Sequence, residues 1–284
     1  MSLGIFPAPP FRVTEEVRSA PLREWVTPLR VWMWIAGLVL WVLALAPPWS
    51  TWSGRYQFVQ AIQYAFFAFC IPSLLVAGAP WRRIGLARYS TVQMGPDGTI
   101  DVQRDLKLID RVALSRSSST HQRRTITVAM VFIALTLFWR VAPVVDFLIR
   151  HEWLTFIESL SLVGVGTLLF TDLIESPPLT PGATRPYRIS IATGVMWSVW
   201  VTAYLEAMSH NSWYHGFHHV AGQGISLAAD QQLSAGFLWL LSAVVFVPTI
   251  FWNLIHWLQS DEDPNAEMGK LLREERTRGF FGTD

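Results

Sequence analysis

The sequence predicts an all-α membrane protein, a polytopic bundle of six transmembrane helices with both termini in the cytoplasm. Three observations predict it. Of the 284 residues, 51% are hydrophobic and 15% charged, against about 25% charged in ordinary soluble domains. Six stretches approach the ~20 mostly apolar residues that cross a bilayer. Arginine and lysine gather in alternate connections, which tells the two membrane faces apart. Fifteen tryptophans and seventeen phenylalanines stand against two lysines, Lys107 and Lys270. That balance excludes a disordered chain and a nucleic-acid binder with a basic face. The single cysteine, Cys70, excludes a disulfide scaffold and a cysteine-based zinc site.

In chain order the spans are residues 31–47, 56–79, 126–149, 153–173, 189–208 and 233–255. A cytoplasmic segment, 1–30, precedes them. Glu15, Glu16 and several prolines interrupt any apolar run there, so it is not read as a signal peptide and the chain is expected to keep it. The cytoplasmic loop 80–124 contains a hairpin over 91–103. Its turn is Gly95-Pro96-Asp97-Gly98, between alternating residues 91–94 and 99–102. Residues 174–187, with Pro177, Pro178, Pro181 and Pro186, form a stiff connector. The loop 209–232 lies outside the membrane, and the tail 256–284 is a short, charged cytoplasmic helix.

All of the 22 basic residues except Arg55, Arg140 and Arg150 fall on the side that holds the termini. This places those termini in the cytoplasm and the chain in the cell's inner (plasma) membrane. Charges inside a span are costly, and their depths can be compared once the orientation is set. Gln60, Gln63 and Tyr64 lie in the outer half of the second span, spaced to share one helical face. Arg140 and Asp146 lie past the middle of the third, Glu158 begins the fourth, Glu206 ends the fifth, and Asp230 precedes the sixth. The polar side chains thus gather at the outer end, with Asp172 and Glu175 as exceptions near the inner surface. One reading is a structural ion pair of Arg140 with Glu158 or Asp146 that fixes helix packing. The other is a cavity open to the outside.

The outer loop is rich in histidine. Four of the seven histidines, His210, His215, His218 and His219, fall within ten residues and follow Met208. Imidazole with thioether suits copper, while imidazole with carboxylate suits zinc or copper, so a metal site is one reading of this set. The competing reading is an interfacial loop whose aromatic and imidazole groups sit among lipid headgroups. No residue is marked as a general base, and there is no HExxH, GxSxG or phosphate-binding loop, so no enzymatic activity is expected.

The second span ends in Pro72, Leu74, Leu75, Gly78 and Pro80, with Gln63 inside it. The last is preceded by Asp230-Gln231-Gln232-Leu233, then Gly236 and Trp239. These elements, with 150–178 as a middle helix, resemble the CtaG family of cytochrome c oxidase assembly proteins over roughly residues 28–258. The resemblance implies a helical membrane fold and a role in oxidase assembly and copper supply. At the family's motif histidines this chain has Gln60, Tyr64 and Ser159, so it resembles a divergent member. The expected function is therefore a non-enzymatic accessory or assembly protein for a heme-copper oxidase or related respiratory complex, handling copper on the outer face. Its partners are the lipid bilayer and another integral membrane protein complex. A metal-free structural subunit of such a complex is the alternative. A transporter built on Arg140, Asp146, Glu158 and Glu206 ranks below both, because the inner half of the bundle offers no polar path.

Overall fold

The computed structural model describes residues 28–82, 92–94, 100–102, 121–176, 179, 181–209, 212–220 and 224–259. Its helices are α1 (Pro28–Leu45), α2 (Trp49–Ser53), α3 (Gln57–Ala65), α4 (Ile71–Gly78), α5 (His121–Trp139), α6 (Ala142–Arg150), α7 (Leu154–Leu173), α8 (Arg185–Met208) and α9 (Leu227–Leu258). Every apolar stretch read from the sequence is helical. Four helical rods are long and apolar enough to cross a membrane: α1, the run Gln57–Gly78, α7 and α9. The bent pair α5–α6 makes a fifth. Helix α8, at 24 residues, is long enough, but its arginines, Glu206 and several hydroxyl side chains leave it less apolar than those five.

The expected hairpin forms. Strand β1 (Val92–Met94) pairs antiparallel with β2 (Ile100–Val102), with Val92 opposite Val102. Its turn, residues 83–91 and 103–120 of the loop, residues 1–27 and the tail beyond residue 259 lie outside the described residues.

Two rods depart from straight helix, each beside a proline. Between α3 and α4 the backbone widens into one π-helical stretch, Phe66–Cys70, just before Pro72. Proline has no N–H to return to the carbonyl four residues back, and the local ladder rearranges around the gap. The expected third span is not one rod. It breaks after Trp139 and resumes at Ala142, turning by 63°. Pro143 lies in the first turn of the resumed helix. Its ring would clash with the carbonyl of Trp139 if the helix ran through. Arg140 and Val141 occupy the break.

The apolar core is aromatic at its centre. Phe69 packs 5.7 Å from Phe246 and 6.1 Å from Phe132, and Phe170 stacks 5.5 Å from Phe246 (ring centroids). These rings join the Gln57–Gly78 rod to α5, α7 and α9. Helix α8 runs along α9, and α1 lies along α4 at the edge. Close approach of α7 to the central rod depends on Gly166. A Cβ there would meet Pro72 Cγ at 2.7 Å and the Ala68 carbonyl at 2.8 Å. Gly164, on the same helix, faces open space. Gly166→Ala is therefore expected to destabilise the bundle by about 1–3 kcal/mol through overpacking, whereas Gly164→Ala leaves it unchanged. Thermal unfolding of the two detergent-solubilised variants checks this.

Candidate functional site

The helix break puts Arg140 inside the bundle. Its guanidinium is almost wholly buried, with the side chain 4% exposed. Nη2 donates to Glu206 Oε2 at 2.6 Å and to Oε1 at 2.7 Å, and reaches Ser234 Oγ at 3.3 Å. Nη1 donates to Gln60 Oε1 at 2.9 Å. The guanidinium also lies near two aromatic rings, with Cζ 5.7 Å from the Tyr64 centroid and 5.2 Å from that of Tyr214. A cation removed from water needs a counter-charge and hydrogen-bond acceptors. Here Glu206 supplies the charge and Gln60 and Ser234 accept further bonds from the two terminal nitrogens, while the buried Nε has no partner among the described residues.

Glu206 is equally buried and gathers further donors. Gln57 Nε2 reaches Oε1 at 2.6 Å and Ser234 Oγ reaches the same oxygen at 2.9 Å. Around this pair the helix ends are tied together. Asp230, in the first turn of α9, accepts from the backbone N–H groups of Gln57 and Phe58, both at 2.9 Å. It thereby satisfies two free amides at the start of α3. Gln231 donates to the Glu206 carbonyl at 2.8 Å and accepts from the Trp213 N–H at 2.9 Å. The Tyr214 hydroxyl donates to the Arg140 carbonyl at 3.1 Å, closing the elbow. Burial pushes the Tyr214 phenol above its ordinary value, so it stays a neutral donor.

The remaining polar side chains are spread around this centre. Gln63 donates to the Ala44 carbonyl at 2.7 Å, and the Tyr64 hydroxyl to the Thr136 carbonyl at 2.9 Å. Ser159 accepts from the Trp41 indole at 2.7 Å. Asp146 faces the connection between α8 and α9. It accepts from the Gly216 N–H at 2.8 Å, and its other oxygen lies 3.5 Å from His215 Nδ1. Glu158 is 1% exposed, and neither carboxylate oxygen has a hydrogen-bond partner. Arg140 therefore pairs with Glu206, not with Glu158 or Asp146 as the sequence suggested. The chain bends by 63° at the elbow, and the Arg140 side chain there meets the end of α8 instead of either expected partner. Sequence reasoning also missed Gln57, Ser234 and Tyr214. Gln57 was within reach, because it precedes Gln60 by three residues on the same helical face.

Of the histidine set, His215 opens a short 3-10 turn, His215–Val220, and its side chain is 77% exposed. Met208, at the end of α8, is exposed as well. His218 and His219 lie on the same turn, but their side chains, like all of His210, are outside the described residues. Among the described residues, no group of three or more His, Cys, Asp or Glu side chains comes together.

The central cluster does not suit copper. The Gln60 amide oxygen is occupied by Arg140, the Tyr64 hydroxyl by a carbonyl, and Ser159 by an indole. None is a soft or imidazole donor. The permanent guanidinium charge repels a second cation. A salt-bridge lock therefore stands where the sequence resemblance places the family's histidines.

The sequence model of the cytochrome c oxidase caa3 assembly factor family (Caa3_CtaG) matches residues 11–260. The chain belongs to that family. No curated protein and no solved structure gave a match.

The lock makes a measurable claim. Glu206→Gln leaves the buried guanidinium without its counter-charge and is expected to cost about 3–5 kcal/mol. Replacing both partners with methionine is expected to recover much of that loss. A double-mutant cycle on unfolding of the purified protein, using Arg140→Met, Glu206→Met and the double variant, checks the coupling.

Proposed function

We propose that this member of the family is a non-enzymatic membrane accessory protein that assists assembly of a heme-copper oxidase by docking against it within the bilayer. The observation that carries the reading is the family match over residues 11–260 together with a rigid polar lock that leaves the outer faces of α8 and α9 free for a partner. In this reading α8 is the sixth membrane span beside the five apolar rods, and both termini lie in the cytoplasm, following the distribution of arginines.

The outer faces of α8 and α9 support docking. Trp197, Tyr204 and Trp239 are all about half exposed or more. With Trp200 they wall a cleft of about 460 Å³ whose floor includes Ala203, Ala207, Ala235 and Gly236. Small residues on a membrane-facing surface let a partner helix approach closely, and the aromatic walls supply contact area. Nothing lies within 4 Å of a Cβ built on Gly236. Gly236→Leu should therefore fill the groove without disturbing the fold. Extraction in mild detergent is expected to recover oxidase subunits with the wild-type protein, and markedly fewer with Gly236→Leu at equal expression. Equal recovery with both would remove this surface from the proposal.

A second reading keeps copper, at the outer turn and not at the lock. Its support is the exposure of His215 and Met208 and the carboxylate of Asp146 close to His215. His210, His218 and His219 would complete the donor set. Binding would require neutral imidazoles and would weaken as pH falls through the histidine range. Elemental analysis of the same preparation decides it. Copper that disappears when His210, His215, His218 and His219 are replaced by alanine is the expected result. The topology is checked by a reporter fused after residue 284, expected to be active only in the cytoplasm.

A further inference from the structure

A second cleft, of about 520 Å³, opens at the end of the bundle where α2, α3, α6 and α7 meet. Its floor reaches Gln60, which is 2% exposed. The amide oxygen of Gln60 is used by Arg140. The amide nitrogen, on the other side of the group, is buried and has no hydrogen-bond partner. A buried, unpaired donor is costly unless something else supplies the acceptor. At the mouth stand one cation, Arg55, and one anion, Glu152, both exposed. Neither side chain forms an ion pair or hydrogen bond among the described residues. The remaining wall is mixed: Ser50, Thr51, Ser53 and Thr155 stand beside Leu148, Ile149 and Phe156, the last of these 56% exposed.

From this we infer that the cleft binds the headgroup of a zwitterionic phospholipid with a primary ammonium, a phosphatidylethanolamine. The phosphate faces Arg55, the ammonium faces Glu152, a headgroup or ester oxygen accepts from the Gln60 amide, and the glycerol and upper acyl chain lie along Phe156. The charges select the ligand. A mouth with one charge of each sign, not yet satisfied, complements a zwitterion better than it complements an anionic lipid, which Glu152 would repel. The apolar side chains Leu148, Ile149 and Phe156 on one part of the wall favour a lipid over a free headgroup. Headgroups line both membrane faces, so the inference is independent of which way the bundle is inserted. An occupied cleft would complete the hydrogen bonding of Gln60 and steady its contact with Arg140.

Native mass spectrometry of the detergent-purified full chain, titrated with defined lipids, tests this. Phosphatidylethanolamine is expected to bind in preference to phosphatidylglycerol. Arg55→Gln and Glu152→Gln should each weaken phosphatidylethanolamine about two- to fivefold, the range of exposed ion pairs. Glu152→Gln should also raise phosphatidylglycerol relative to wild type. The exchange Arg55→Glu with Glu152→Arg should keep the preference for the zwitterion. Thr155→Trp, which fills the cleft, should abolish it. Indifference to all of these substitutions would overturn the proposal, and so would glycerophosphoethanolamine competing as tightly as the intact lipid. Arg55 and Glu152 are exposed, so their variants are expected to fold, and thermal unfolding confirms that a loss of lipid is not a loss of structure.

Discussion

The bundle is organised around one buried ion pair. Arg140 and Glu206 come from segments 66 residues apart and meet at 2.6 Å in a setting that excludes water. Unpaired, either group would cost more than ordinary packing returns. The surrounding choices follow from keeping the pair satisfied. Gln57, Gln60 and Ser234 supply hydrogen bonds, and Tyr64 and Tyr214 supply aromatic surface near the guanidinium. The break between α5 and α6 is part of the same arrangement. Without it Arg140 would ride on a continuous helix and its carbonyl would bond within that helix. With it, the carbonyl is free to accept from Tyr214.

Much of the architecture was legible in the sequence because membrane helices announce themselves by apolar length. The six stretches correspond to helices, and the glycine- and proline-containing turn between alternating residues correctly foretold the paired strands. The bend was less visible. Pro143 is a sufficient cause, but proline is also tolerated within membrane helices, as Pro248 is inside α9. Gathering Gln60, Arg140, Glu206 and Asp230 at one depth identified four residues of the lock and missed Gln57, Ser234 and Tyr214. It did not identify who pairs with whom. Depth is a one-dimensional coordinate, and the pairing depends on rotation of each helix about its axis and on a 63° turn that the residue pattern does not encode.

The histidine-rich loop and the central cluster answer different questions. The cluster shows how the chain holds itself together with an amide, a phenol and a hydroxyl at Gln60, Tyr64 and Ser159. Each of these makes a defined hydrogen bond. The fold of an assembly factor can thus persist with a guanidinium at its heart. The loop is tied down by Asp146 through the Gly216 amide and by Gln231 through the Trp213 amide, and it leaves the His215 side chain exposed.

The cap that Asp230 places on α3 has a bearing on biogenesis. The carboxylate and the amide it holds are 173 residues apart in the chain. During translation the first rods enter the bilayer long before the aspartate has left the ribosome. Until then the amides at the top of α3 must be held by water or by the insertion machinery. Asp230, Gln231 and Ser234 all belong to α9, so a nascent chain that has not yet made α9 lacks the groups that close the polar centre.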